Sequence, residues 1–569
     1  MCGAPAFLVK TFPVHPARQC FRCALLALLC SAAIGLAQIP STATPLVIVS
    51  TTAEPVAPGK FTPDWESLKQ YRVPTWFRDA KFGIWAHWGP QCQPERGDWY
   101  AREMYSETSG RYRAHVAAFG HPSKVGFKDV IHAWRAENWR PDDLLRLYAR
   151  AGAKYFFALA NHHDNFDNWD SKYQPWNSVN LGPRKDLIAG WAAAARRHGL
   201  KFGVSVHAAH AWSWLETAQG ADATGPLAGV PYDGKLTKAD GKGTWWEGYD
   251  PQDLYAQNHP PSPGFAELKK IHERWNWDHG VTLPDQAYCE KFYNRTIDLI
   301  NKYQPDLIYF DDTALPLWPV SDAGLKIAAH FYNSNDRWRG DDGVMFNKIL
   351  DGEQRRCMAW DVERGSSNEI EPNPWQTDTC IGSWHYDRGI FDRHGYKTAR
   401  TVVHTLIDVV SKNGNLLLSI PVRGDGTIDD DELEIVRGIG DWMQVNQEAI
   451  HGTRPWQVFG EGPQMASVPP LSAQGFNEGK AKPFTAEDVR FTTKGEVLYA
   501  IVMGTPSGPV TIKSLGTKRG LWPGAIAEIA ALGSTEKLTW SRTDDALVIE
   551  PPRVIANGTA VVFKITPRR

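Results

Sequence analysis

The chain has 569 residues, 42% of them hydrophobic and 22% charged, with a formal net charge of −2. That composition is globular and long enough for a large catalytic domain plus an accessory one, since closed barrels alone run to about 250 residues. The charge balance excludes the basic footprint of a nucleic-acid binder.

From the N-terminus, Lys10, Arg18 and Arg22 precede an apolar run from Cys23 to Ala37 that ends in Gly35-Leu36-Ala37. This is the layout of a secretory signal over residues 1–37, and it predicts a secreted or periplasmic protein. The run is shorter than the roughly 20 residues that a membrane-crossing helix needs, so no membrane association is expected after cleavage. Removing three cations takes the net charge from −2 to about −5. Cys92, Cys289, Cys357 and Cys380 then remain, with no CxxC spacing, which argues against a disulfide scaffold or a zinc site.

Residues 38–60 are rich in Pro, Ser and Thr and read as a linker. Residues 61–455 then alternate short apolar runs with helix-period segments. Lys81–Gly89, Lys154–Asp164, Lys201–Ala209, Asp306–Asp312 and Cys357–Gly365 read as buried strands. DDLLRLYARAGA, RKDLIAGWAAAARRHG, EKFYNRTIDLINKYQ and TARTVVHTLIDVVSKNG read as helices. The alternation predicts a parallel sheet covered by helices, and polar residues at nearly every strand end favour a closed (β/α)8-like TIM-type barrel. Residues 216–263, rich in Gly, Asp and Pro, read as a long loop over those ends. Residues 456–569 alternate as half-exposed strands do and predict a C-terminal antiparallel β-sandwich.

Chemistry in such a barrel sits where the strands end. Those ends carry His87-Trp88, Asn161-His162-His163-Asp164, His207, Asp311-Asp312 and Asp361-Val362-Glu363-Arg364. A His/Asp metal site is disfavoured because His162-His163 and Asp311-Asp312 are adjacent, and neighbours on a strand face opposite sides; no metal and no cofactor are expected. The calcium-loop look-alike VRGDGTIDDDELE puts Pro421 and Arg423 at the first and third ligand positions, so it reads instead as a turn into a helix with an acidic first turn. Carboxylates from two strands, several histidines and 25 tryptophans suit glycoside hydrolysis.

The segments FGIWAHWGP, GDWYAREMY, NHHDNFDNWDS, DLIYFDD, SKNGNLLLSIPVRGDGTI and GIGDWMQVNQEAIHGTRPW together resemble the α-L-fucosidases of glycoside hydrolase family 29, from about Trp76 to Trp456. The resemblance implies metal-free, retaining, exo-acting hydrolysis of terminal α-L-fucosyl residues on oligosaccharides or glycoconjugates. It makes Asp311 the nucleophile, with Asp312 turned away into a hydrogen bond or salt bridge. His87, His162, His163 and Trp99 become contacts to the sugar hydroxyls, while Trp169 is either a contact or structural. His207 and Trp318 complete the expected substrate-binding set. Glu363, ending the strand-like MAWDVE, is the first choice of acid/base, with Glu369 and Glu371 on the following loop as alternatives. A related terminal sugar such as L-galactose, or a catalytically silent carbohydrate-binding protein, are the competing readings.

Overall fold

The computed structural model describes residues 39–568 except 257, 269 and 467–476, so the signal reading over 1–37 lies outside the described residues. Eight parallel strands follow one another in chain order and close on themselves. They are β1 Phe82–Ala86, β2 Tyr155–Asn161, β3 Lys201–Val206, β4 Leu307–Thr313, β5 Val344–Lys348, β6 Ala359–Glu363, β7 Trp375–Cys380 and β8 Gly414–Ser419.

Both faces of such strands are covered, which is why runs like YFFALAN are apolar throughout and buried at every position. The period of two sorts the side chains. Trp85, Tyr155, Phe157, Leu307, Tyr309, Val344, Phe346 and Leu417 fill the barrel interior. Their neighbours Ile84, Phe156, Ile308, Phe310 and Leu418 point outward into the layer shared with the helices.

Helices Pro141–Arg150, Leu187–Arg197, Gln286–Tyr303, Ala323–Arg339 and Ala399–Ser411 form the outer ring. The sequence signals for four of these match the observed positions. Two connections depart from the expected alternation. A single turn, Gln354–Arg356, is all that lies between β5 and β6, and no helix joins β6 to β7. Strands β5, β7 and β8 also carry no strand signal of their own. In WQTDTC the inward positions are polar, because they face the functional end of the barrel.

The stretch read as a linker runs beside helix Ala323–Arg339. The amides of Leu46 and Val47 donate to Val320 O, Val49 N donates to Asp322, and Ala57 N donates to His330 Nδ1. The long loop carries short helical turns. It is tied to the barrel by Asp233, which accepts from Tyr105 and Tyr255 at 2.7 Å each and pairs with Lys128 at 3.3 Å. Residues 429–432 form a capping box that opens helix Asp430–Asn446 with acids in its first turn, as expected for the calcium-loop look-alike.

The C-terminal region begins with β9 Arg454–Glu461. It continues through β10 Val489–Lys494, β11 Val497–Val502, β12 Val510–Ile512, β13 Ile526–Ala531, β14 Trp540–Arg542, β15 Leu547–Ile549 and β16 Val561–Pro567. Two antiparallel sheets, ordered β13-β16-β11-β10-β9 and β12-β15-β14, enclose a separate core that includes Trp456, Phe491, Ile512, Leu547 and Phe563. The four cysteines Cys92, Cys289, Cys357 and Cys380 are free and buried.

Two glycines decide how the barrel interior packs. A Cβ at Gly83 would lie 2.2 Å from the Tyr155 ring, and one at Gly203 would lie 2.7 Å from the Phe157 ring. Gly83→Ala and Gly203→Ala are therefore expected to destabilise the fold by about 1–3 kcal/mol each through overpacking. Gly508→Ala, whose Cβ meets nothing within 4 Å, should leave the denaturant midpoint unchanged. Equal midpoints for all three variants would refute this account of the packing.

Candidate active site

The parallel register brings the ends of β1 to β7 to one side of the barrel. Asp311 lies on β4 in phase with Tyr309, so it points inward; Asp312, one residue on, points outward. That phase separates the two aspartates. Asp312 lies 2.7 Å from His210 Nε2, and His210 stacks on Trp275 and Trp277 at 3.9 and 4.6 Å. Burial raises the Asp312 carboxyl, with His210 opposing. Asp312 is thus paired with His210 on the outer face of β4.

Asp311 is held from three neighbouring strand ends. Its Oδ2 lies 3.0 Å from His163 Nε2 and 3.3 Å from His207 Nδ1. Its Oδ1 forms an ion pair with Lys348, the last residue of β5. The same Lys348 ammonium contacts Glu363 Oε2 at the end of β6. Burial alone would raise the Asp311 carboxyl, but Lys348, His163 and His207 outweigh it and hold the group well below the usual carboxylate range. Burial likewise opposes the charge on Lys348, while Asp311, Glu363 and Asp378 hold it well above the ordinary lysine value.

Below this trio the interior stays polar. Gln376 Nε2 donates to Asp361 at 2.8 Å, and Tyr309 OH donates to Asp378 at 3.1 Å. Glu363 and Asp378 are register partners on adjacent strands. Burial pushes Asp361 up to about 7, against the pull of Gln376 and Lys348. Burial, then Asp361 and Glu363, push Asp378 well above the usual carboxylate range. A lysine and two acids whose protons burial helps to retain therefore lie beneath Asp311 and Glu363.

The opposite wall is imidazole. His87 lies 4.7 Å from His385, 5.1 Å from His162 and 5.1 Å from His207, all edge to face. Burial holds His87 and His162 well below the ordinary histidine value and pushes His207 down to about 4, so these rings are neutral at neutral pH. Gln91 donates to His162 Nδ1 at 2.8 Å, and His385 Nδ1 lies 2.7 Å from Asp98. Both nitrogens of His87, and Nε2 of His207 and His385, have no protein partner.

Aromatic rings close the rim. Trp99 adopts a left-handed backbone (φ 67) at the start of helix Tyr100–Glu103. Its ring stacks on His272 at 4.7 Å and meets Trp214 edge-on at 4.6 Å. Trp214 in turn lies 4.6 Å from His163, and Trp275 lies 5.1 Å from the same ring. Trp384, in the segment after β7, leans on Trp85 and His87.

Asp311, Glu363, His87, His162, His163, His207 and Trp99 are thus brought together at one end of the barrel. Trp318 does not. Ala314 and Leu317 are left-handed (φ 62 and 63), and the turn they make carries Trp318 to the flank, edge-on to Trp65 at 5.4 Å with its N–H on Pro40 O at 3.3 Å. Trp169 is structural: it is buried, and Nε1 donates to Asp298 at 3.2 Å. Of the alternative acids, Glu369 is exposed. Glu371 accepts from Ser367 at 2.7 Å, and its backbone is bonded to Lys412 and Asn413, beside the starting end of β8. Lys348, Asp378, Trp214, His272, Trp275, Trp384 and His385 escape the sequence reading, since five lie in connections and β5 and β7 carry no strand signal.

Among the described residues, two groups have ligand atoms within 4.8 Å of one another, as a metal requires: His87, Asp98, His162 and His385, and His162, His163 and His207. In the second group both nitrogens of His163 already have protein partners, the His207 carbonyl at 2.7 Å and Asp311 at 3.0 Å.

A family model described as alpha-L-fucosidase matches residues 48–448. The chain is 25% identical over 532 residues to the tissue α-L-fucosidase of Mus musculus, covering 90% of this chain and 96% of that one. An α-fucosidase of Thermotoga maritima, solved with a mechanism-based inhibitor, superposes with a TM-score of 0.64 at 24% identity, over 89% of this chain and 100% of the other. A Bacteroides thetaiotaomicron α-L-fucosidase, trapped as a covalent intermediate in a glutamate-to-glutamine mutant, superposes with a TM-score of 0.55 at 15% identity, over 90% and 98%. At these identities the superpositions establish the shared fold.

Two outcomes follow from the charges. Lys348→Met leaves the half-buried Asp311 and Glu363 with no cation between them, and should lower stability by up to the roughly 3–5 kcal/mol of breaking a fully buried ion pair; an unchanged denaturant midpoint would refute the bridging role. Asp361 has a raised folded-state pKa, so the stability it confers is fully present below the unfolded carboxylate value near ~3.9 and is lost as pH rises through about 7. Asp361→Asn should remove that loss. The wild-type fall in stability between those pH values should flatten in the variant, as read from urea melts across the range.

Proposed function

Because the chain belongs to the α-L-fucosidase family of glycoside hydrolases, we propose that it releases terminal α-L-fucosyl residues by a retaining double displacement, with Asp311 as nucleophile and Glu363 as acid and base. One observation carries this reading: Asp311 and Glu363 touch the same Lys348 ammonium. Two carboxyl groups that share one cation are close together. Their spacing is on the scale of the roughly 5–5.5 Å used by retaining enzymes rather than the roughly 6.5–9.5 Å that leaves room for an inverting water.

In the first step an Asp311 oxygen bonds to the anomeric carbon, and Glu363 passes a proton to the departing glycosidic oxygen. In the second, Glu363 takes a proton from water while the water oxygen displaces Asp311, restoring the α configuration and both carboxyl states. Lys348, His163 and His207 keep Asp311 ionised and oriented. The unpartnered nitrogens of His87 and His207, with His162 and the Trp99 wall, bind the sugar. The histidine wall closes the cleft on the far side from Glu363, which suits a single terminal residue. The N-terminal charge pattern supports a secreted or periplasmic location for the enzyme.

The test separates the two carboxylates. Asp311→Gly should abolish turnover of 4-nitrophenyl α-L-fucoside with the fold retained. Glu363→Ala should lose far more on natural oligosaccharides than on 2-chloro-4-nitrophenyl fucoside, whose leaving group needs little protonation. Azide, which needs no deprotonation, should then release the accumulated fucosyl-enzyme as the retained fucosyl azide. Wild-type turnover in Asp311→Gly, or azide rescue without retention in Glu363→Ala, would overturn the assignment.

A further inference from the structure

The floor of the barrel, at the end opposite Asp311, carries a second cavity. The connections from β5 to β6 and from β6 to β7 bring no barrel helix, and the space left uncovered is a cavity of about 470 Å³. Its lining is basic: Arg78, Arg355 and Arg454 in the wall, Arg72 and Arg356 at the rim, and Glu371 as the one acid. Three of these arginines have carboxylates nearby. Arg454 meets Asp79 at 2.6 Å, Arg356 meets Glu353 at 3.3 Å, and Arg355 stands 3.9 Å from Glu371. The other two form no ion pair among the described residues. Arg78 Nε donates to the neutral Asn413 amide at 3.2 Å, and Arg72 donates to the carbonyls of Lys69 and Tyr71.

A second observation points the same way. Lys81, just past helix Thr75–Ala80, is fully buried and its ammonium has no protein partner. Burial, then Arg454 and Arg78, push it down to about 7. Arginines gathered around one cavity repel one another and are stabilised by an anion among them. Guanidinium forks match the paired oxygens of carboxylate, sulfate and phosphate groups. The cavity is far larger than one such group and falls within the roughly 300–1,000 Å³ range of small-ligand sites. Asn373 and Thr75 add neutral polar groups to the lining, and the Arg355 guanidinium is seated 3.5 Å over the Trp360 ring.

We propose that this floor cavity binds an oxyanion carried on a sugar ring, a sugar sulfate or uronate, at a site separate from the catalytic one. The oxyanion rests on the arginines alone; the sugar as its carrier rests on the fucosidase reading, since a glycan is what such an enzyme meets. The ester or carboxylate oxygens would sit between Arg78 and Arg355, with the ring hydroxyls toward Thr75 and Asn373.

Calorimetric titration of the full chain with glucose 6-sulfate, glucuronate, glucose and inorganic sulfate tests this. Glucose 6-sulfate and glucuronate should bind with Kd below about 10 mM, glucose should not, and inorganic sulfate should bind at least tenfold more weakly than its sugar ester. Arg78→Gln and Arg355→Gln should weaken the sugar anions at least tenfold. Asn373→Asp, at an exposed rim position outside the arginine packing, should do the same with the melting midpoint unchanged, so the test survives if an arginine variant fails to fold. Turnover of 4-nitrophenyl α-L-fucoside should be unaffected by Asn373→Asp; a wild-type chain that binds the sugar anions but lacks this turnover sinks the catalytic reading and leaves the cavity standing. Equal binding of glucose and glucose 6-sulfate, inorganic sulfate as tight as its sugar ester, or undiminished binding in Asn373→Asp would each overturn the proposal.

Discussion

One buried ammonium organises the catalytic end of this molecule. Lys348 lies between Asp311 and Glu363, and in a site of low effective dielectric two facing carboxylates would otherwise force a proton onto one of them. The cation lets Asp311 stay ionised and brings the two acids close. It can do so because β4, β5 and β6 are adjacent and parallel, so residues near three consecutive strand ends arrive together. The barrel closure is what makes the lysine bridge possible.

Around that bridge the site divides by chemistry. From β5 to β7 it is acidic and hydrogen-bonded, with Gln376 on Asp361 and Tyr309 on Asp378 giving partners to groups that burial keeps neutral. From β1 to β3 it is imidazole, likewise neutral by burial, with donor and acceptor atoms left open. A nucleophile needs charge, and sugar recognition needs neutral groups that can donate or accept. Burial supplies the second everywhere, and only Lys348 and two histidines override it at Asp311. The outward Asp312 belongs to a different set of contacts, with His210 and the indoles of Trp275 and Trp277, and steadies the loop that carries the rim.

The two ends of the barrel differ because the covering helices are unevenly spread. Where helices are present, outward residues such as Phe156 and Ile308 find apolar partners. Where they are missing, beside β6, the half-buried Trp360 and a group of arginines line open space instead. The C-terminal sheets begin at this end, and Arg454 of β9 is part of the same cavity, so the accessory region contributes to the barrel floor while leaving the catalytic mouth to the loops.

The amino-acid sequence by itself determined the architecture and the catalytic strand ends. Continuous apolar runs, helix-period segments and a change to alternation after Trp456 are local patterns, and burial on both faces of a parallel strand leaves its mark on the residues of that strand alone. His87, His162, His163, His207 and Asp311 were legible because each follows such a run directly, and Glu363 because it ends one. The tertiary structure decided everything that depends on which way a side chain points or what lies across a gap. The parity of Asp311 and Asp312 follows from the phase set by Tyr309. Trp318 lies close to the site in sequence but is carried to the flank by two left-handed residues. Lys348 ends a strand with no signal of its own, and Trp214, His272 and Trp275 reach the site through a long connection whose path no local pattern encodes. Those positions are fixed by closure of the barrel and packing of the loop, which join residues distant in the chain, His163 with Asp311 and Trp99 with His272 among them.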